Sequence, residues 1–255
     1  MAQHDFDASR TRLGYGAIDI VANVHTPEAY AEGRIPVDDG FRDKVGYDPG
    51  QRRGVTIEDY LAKKDRAGID PTRGIAGLKE LDRAVHEYGF VGAHLYPHWF
   101  EAAPDAAIFY PYYARCAELG IPVMLQVGHC LLYSKDRRLP SVGRPIALDR
   151  VALDFPELNI IGIHLGWPWH DEMVAVAFKH PNVFMAGDAY APKHWPASVV
   201  HFANTFGQDK FLFGTDFSVI EPERAMQEVE ALAFRPVPLR KILRDNALRL
   251  FKLPG

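Results

Sequence analysis

A chain of 255 residues that is 47% hydrophobic and 24% charged, with a formal net charge of -4, has the length and apolar content for a sizeable core, which excludes a disordered chain. Its mild negative charge and lack of any long Lys/Arg block exclude the footprint of nucleic-acid or anionic-membrane binding and point to a small-molecule partner. Cys116 and Cys130 form neither a disulfide framework nor zinc-finger spacing, the first residues lack a leader pattern, and no stretch reaches about 18 apolar residues, so the expected place is the cytoplasm.

Apolar strand-like runs alternate with segments of helical period, the pattern of a parallel α/β architecture. Residues 17–24 read as a first strand, followed by a Gly/Pro/Asp-rich loop to about residue 55. Thr56 has the character of an N-cap, with Asp59 three residues on and a helix running to Ala67 before Gly68. Ile75, Leu78, Leu81 and Val85 space as one helix face, and Gly89 ends that helix before a strand at 90–96. A helix near 105–119 feeds a strand at 122–127, and a helix at 147–155 leads to a strand at 158–164. A helix at 173–178, a strand at 182–185, a helix at 198–206 and a strand at 210–213 follow, and helices at 222–233 and 239–251 close the chain.

This order predicts one α/β domain over 1–255, a (β/α)8 TIM-type barrel. Six strands are legible where closure takes eight. The deficit falls at Gly68-Ile69-Asp70-Pro71-Thr72, where one helix meets the next with no room for a strand. The second and third strand region is therefore expected to be shortened or missing near Asp70, by a deletion or by a segment absent from the sequence.

Barrels of this kind carry their chemistry at strand ends. The run Ile160-Ile161-Gly162-Ile163-His164-Leu165-Gly166-Trp167-Pro168-Trp169 is an apolar strand that finishes in a histidine, and Phe211-Leu212-Phe213-Gly214-Thr215-Asp216-Phe217 does the same with an aspartate. With Pro181-Asn182-Val183-Phe184 between them and Lys241-Ile242-Leu243-Arg244-Asp245-Asn246-Ala247-Leu248-Arg249-Leu250-Phe251 at the end, these motifs resemble the amidohydrolase-related family that contains aminocarboxymuconate semialdehyde decarboxylase and related decarboxylases and hydrolases. The resemblance runs from Ala17 onward and is most specific in the second half. It implies that His164 and Asp216 flank a catalytic metal, that the substrate is an aromatic-derived acid, and that the barrel pairs as a homodimer.

Two departures weaken the implied zinc site. Members of the family usually open on Asp-x-His-x-His, but here the run is Asp19-Ile20-Val21-Ala22-Asn23, and Gln126 stands where a fifth-strand histidine is expected. Valine has no lone pair to give, and amide oxygens suit hard cations better than zinc. His25, His94, His98 and His129 lie near enough in sequence to rebuild a zinc site around His164 and Asp216. The alternative is a metal-free site in which the same histidines act as acid/base or oxyanion-stabilising groups.

Strand alternation points His94, Tyr96 and His98 to one side, and Asp188 and Tyr190 follow the seventh strand of the expected barrel. The loop 129–145 carries Arg137, Arg138 and Arg144, forks suited to a carboxylate or phosphate. Trp99, Phe100, Trp167, Trp169 and Trp195 would suit an aromatic ligand, whereas His170 reads as a structural residue of a helix N-terminus. Asp216, His164 and His94 are the expected catalytic groups. Asn23, His25, Tyr96, His98, Gln126, His129, Arg137, Arg138, Arg144, Trp167 and Asp188 are the expected substrate contacts. The main expectation is a hydrolase or lyase that cleaves a carbon-carbon bond next to a carbonyl in an aromatic-derived carboxylate or a β-keto acyl thioester. A zinc-dependent decarboxylase with a rebuilt metal site and a non-catalytic ligand-binding barrel are the alternatives.

Overall fold

The computed structural model describes residues 18, 20, 66–68, 74–131, 138–217 and 219–254. Six strands, β1 (Arg66–Gly68), β2 (Gly92–Leu95), β3 (Val123–Gln126), β4 (Ile160–Ile163), β5 (Val183–Gly187) and β6 (Phe211–Phe213), form one sheet in sequence order. Every pairing between them is parallel. Between strands run α1 (Gly74–His86), α2 (Tyr110–Leu119), α3 (Ala147–Asp154), α4 (His170–Lys179) and α5 (Ala197–Asn204). After β6 come α6 (Pro222–Glu230), α7 (Pro236–Arg240), a π-helical turn over Lys241–Asp245 and α8 (Asn246–Leu250). Ile20 donates its N–H to the Phe213 carbonyl at 3.3 Å, so this residue of the expected first strand sits beside β6. No helix among the described residues is long and apolar enough to cross a membrane.

Strands β2 to β6 are buried on both faces, and strand alternation sorts their side chains into two cores. Ala93, Leu95, Val123, Leu125, Ile160, Val183, Met185, Phe211 and Phe213 pack outward with helix residues such as Leu81, Val151, Val176 and Val199. The alternate residues Met124, Ile161, Ile163, Phe184, Ala186 and Leu212 gather with Ile20 inside the barrel, where Ala247, Leu250 and Phe251 pack against them. A row of inward side chains that begins apolar and ends polar, as in Phe184, Ala186 and Asp188, thus carries its last member to the C-terminal rim.

Two expectations change. The segment ending at Ala67, expected as helix, finishes as strand β1, paired in register with β2 through Arg66 to Gly92 and Gly68 to His94. One of the missing strands is therefore present. Its three residues leave too short a run for any period to show. Ile75, expected on the buried face of α1, is 73% exposed, whereas Leu78, Leu81 and Val85 of that face pack on the core beside Gly77 and Ala84. The junction at Asp70 and Pro71 and the N-cap Thr56 lie outside the described residues.

Candidate active site

Five consecutive strands bring polar side chains to the same rim. β2 supplies His94, β3 ends on Gln126, β4 leads into His164, β5 into Asp188 and β6 into Thr215 and Asp216. His94, Asp188, Thr215 and Asp216 are all buried, and Asp188 is fully so. Burial of several ionisable groups is costly unless they serve one another or a ligand.

His164 is the hub. Its backbone N–H donates to Asp188 Oδ1 at 2.7 Å, and its ring Nε2 lies 3.3 Å from Asp188 Oδ2 and 3.6 Å from Asp216 Oδ2. The other ring nitrogen, Nδ1, is 3.1 Å from Gln126 Nε2. Strict alternation after the inward Ile161 and Ile163 would send His164 out into the helix layer. The backbone prevents this: His164 and Leu165 adopt the left-handed region at φ 65° and 57°, so the imidazole turns inward and Leu165 takes the outward core position. Ala189, which follows Asp188, and Asp216 itself are also left-handed, at φ 60° and 53°. Each non-glycine residue in that region costs about 1–2 kcal/mol, and such strain is kept where the site needs the geometry.

Aromatic rings wall the mouth. On one side the His94, Tyr96 and Trp99 rings follow one another at centroid distances of 4.2 and 4.9 Å, the second pair stacked. On the other, Trp167 sits 5.6 Å from Tyr190 and 6.2 Å from His129. Burial and the neighbouring Asp188 charge push the Tyr190 hydroxyl up to about 12, so it stays protonated at neutral pH.

The stretch after β3 folds back across this rim. Gly128 donates its N–H to the Gly143 carbonyl at 2.6 Å, His129 donates its N–H to the Trp167 carbonyl at 2.6 Å, and Ser141 Oγ lies 2.7 Å from His129 Nδ1 while accepting the Cys130 N–H. His98 is fully buried beneath it, with Nδ1 accepting the Val142 N–H at 3.2 Å and the Pro140 carbonyl 3.3 Å away. Ser141 was not singled out in the sequence, where a lone loop serine carries no signal.

Burial pushes the His98 imidazole from its ordinary 6.5 down to about 4, against the pull of the Pro140 carbonyl and helped by the nearby His164 and His129. Below pH 6.5 the unfolded chain takes up a proton here that the folded chain refuses, so this histidine subtracts stability as the pH falls and the loss is complete near pH 4. The full effect is about 3 kcal/mol. Urea unfolding at pH 7 and pH 4.5 is expected to show a steep decline for the native chain and a shallower one for His98→Asn; equal slopes would exclude His98 as the cause.

The structure thus brings together His164, Asp188, Asp216 and Gln126, with His94, Tyr96 and Trp167 around them. Arg144 is committed elsewhere: it is exposed, ion-paired with Glu172 and stacked 4.6 Å over Trp169. Arg138 is exposed, and Asn23, His25 and Arg137 lie outside the described residues. Trp195, expected at the rim, is buried instead in the layer between sheet and helices, where Gly187 leaves room for its indole beside Phe211. His170 opens α4, with its Nε2 3.7 Å from Asp171 Oδ1.

His164, Asp188 and Asp216 offer one nitrogen and two carboxylate oxygens that all lie within 4.8 Å of one another. Three such donors fit a divalent cation, and the oxygen-rich set favours a hard ion at least as well as zinc. The fold and this rim define an α/β-barrel enzyme of the amidohydrolase type. The family model described as amidohydrolase matches residues 54–253, well over half of the chain, and the chain belongs to that family. An uncharacterized TIM-barrel protein from Bordetella bronchiseptica matches at 24% identity and a TM-score of 0.65, covering 91% of this chain and 87% of that one. A 2,6-dihydroxybenzoate decarboxylase solved with 2,6-dihydroxybenzoate matches at 18% identity and a TM-score of 0.65, over 94% of this chain and 99% of that one. A dihydroxybenzoic acid decarboxylase from Polaromonas sp. JS666, with bound manganese and 2-nitroresorcinol, matches at 17% identity and a TM-score of 0.61, over 93% and 97%. At these identities the likeness is one of fold.

Proposed function

We propose that this chain is a single-domain lyase that decarboxylates an aromatic carboxylic acid at the rim of its barrel. The observation that carries the reading is the buried His164/Asp188/Asp216 cluster between two aromatic walls. Two structures of like fold, acting by name on dihydroxybenzoates, support decarboxylation over hydrolysis of a β-keto thioester.

Decarboxylation exchanges a carbon-carbon bond for a carbon-hydrogen bond. A proton adds to the ring carbon that bears the carboxylate, the bond to the carboxylate breaks as its electron pair returns to the ring, and carbon dioxide leaves. The site must therefore hold a proton and deliver it to carbon. Asp216, whose Oδ2 lies 3.6 Å from His164 Nε2, is placed to carry that proton as a carboxylic acid and to regain it from solvent after carbon dioxide leaves. The Tyr96 and Trp99 rings on one side and Trp167 and Tyr190 on the other offer flat faces for an aromatic substrate. A divalent cation held by His164, Asp188 and Asp216 would supply a Lewis acid for the oxygens of the substrate.

The test offers mono- and dihydroxybenzoates, with and without added manganese or zinc, in parallel with aryl β-keto thioesters. Carbon dioxide release from at least one benzoate is expected, with one deuterium at the vacated ring carbon when the reaction runs in deuterium oxide. Release of free acid from a thioester, with no carbon dioxide from any benzoate, would replace decarboxylation by hydrolysis.

A further inference from the structure

His129 is exposed at the mouth of the barrel, yet its ring is not left to swing. Its backbone N–H donates to the Trp167 carbonyl at 2.6 Å, and the Trp167 N–H donates in turn to the His164 carbonyl at 3.1 Å, so the backbone at position 129 is fixed relative to the cluster. Its ring Nδ1 lies 2.7 Å from Ser141 Oγ, which itself accepts the Cys130 N–H at 3.0 Å. The ring meets Trp167 edge to face, with centroids 6.2 Å apart and planes at 66°. Two backbone hydrogen bonds, Gly128 to Gly143 and His129 to Trp167, already fasten the loop. Ser141 adds a hold on the imidazole, and a side chain locked before its ligand arrives loses less freedom on binding it.

With Nδ1 engaged by Ser141, Nε2 is the ring atom left for an incoming group. The two ends of the rim differ in charge: Asp188 and Asp216 make the inner end acidic, while among the described residues no carboxylate lies within ion-pairing distance of His129. A phenolic hydroxyl both donates and accepts, so it meets Nε2 in either tautomer of the imidazole, whereas a carboxylate accepts only. We propose that His129, held by Ser141, is a specificity residue that binds a ring hydroxyl on the edge of the aromatic acid remote from the departing carboxylate. The inference rests on the reading that an aromatic acid occupies this rim with its carboxylate toward His164, Asp188 and Asp216. Because His129 is exposed, the hydrogen bond competes with water, and the preference it confers is modest, about five-fold.

Isomers with the same number of hydroxyls test this. 2,6-Dihydroxybenzoate has none on the remote edge, whereas the 2,3-, 2,4- and 2,5-isomers each have one there. Isothermal titration of each isomer, at one fixed manganese concentration, gives its affinity relative to that of the 2,6-isomer. For at least one remote-hydroxyl isomer that ratio is expected to be about five-fold higher in the native chain than in His129→Phe, with Ser141→Ala between the two. A general loosening of the rim would weaken every isomer alike and leave the ratio unmoved. Ratios equal in the native chain and His129→Phe for all three isomers overturn the proposal, as does a native ratio kept in Ser141→Ala. Phenylalanine keeps a ring beside Trp167; where that variant does not fold, Ser141→Ala decides alone. Binding of the isomers with the expected ratios but without carbon dioxide release would overturn the decarboxylase reading and leave this one standing. Equal ratios with carbon dioxide release would do the reverse, and if no isomer binds, both fall.

Discussion

Asp216→Asn is expected to lower turnover by about 10²–10⁴-fold, the span of a lost acid/base group, while the chain stays folded. The exchange keeps the shape of the side chain and removes its charge. Asparagine is also among the few residues that accept a left-handed backbone, which Asp216 adopts at φ 53°, so the local turn survives. The Phe217 N–H, which donates to Thr215 Oγ1 at 3.1 Å, is untouched. Steady-state kinetics on the substrate identified by the benzoate panel, together with a thermal melt, check both halves of the expectation. Turnover within a few-fold of the native value would remove Asp216 from the chemistry.

Gly128→Ala is expected to destabilise the fold by about 3 kcal/mol, combining overpacking with a backbone that side chains disfavour. Gly128 lies at φ 101°, and a Cβ built there would come within 2.5 Å of the Trp167 carbonyl oxygen and 2.9 Å of two further backbone atoms. Backbone cannot swing aside as a side chain can. Gly162→Ala is the control: its nearest obstacle, at 2.4 Å, is the sulfur of Met173, which has rotamers to spare. Urea denaturation should separate the two variants, with Gly128→Ala the more damaging. Because Gly128 and His129 tie the returning loop to Gly143 and Trp167, that variant should also lose activity, although it touches no group of the cluster.

Much of the fold was legible because its strands are apolar runs bounded by glycine and its helices carry one packed face. The strand at Arg66–Gly68 was not, since three residues of mixed character within a helical period give alternation nothing to act on. Asp188 and Asp216 could be read at the rim because they continue the inward parity of Phe184 and Ala186, and of Leu212. His164 was picked out by its place after an apolar strand, yet parity alone would have pointed it the wrong way. Only the left-handed backbone turns it inward, and nothing in the identity of a histidine or a leucine announces that. Gln126 was marked as a departure from the expected ligand set, but its bond to His164 joins residues 38 apart and is a product of the folded sheet. Trp195 misled for the opposite reason: the space that receives it is made by Gly187, whose contribution is the absence of a side chain.

The left-handed residues at the rim have a consequence for how positions 164 and 216 would behave under selection. A library randomised at either position and sorted only for resistance to unfolding should enrich glycine and asparagine, because those residues meet the backbone at least cost. Sorted for turnover, the same library should return histidine and aspartate. The stability gap between the two sets of survivors would measure, in one experiment, how much fold the chain surrenders to keep its chemistry in place.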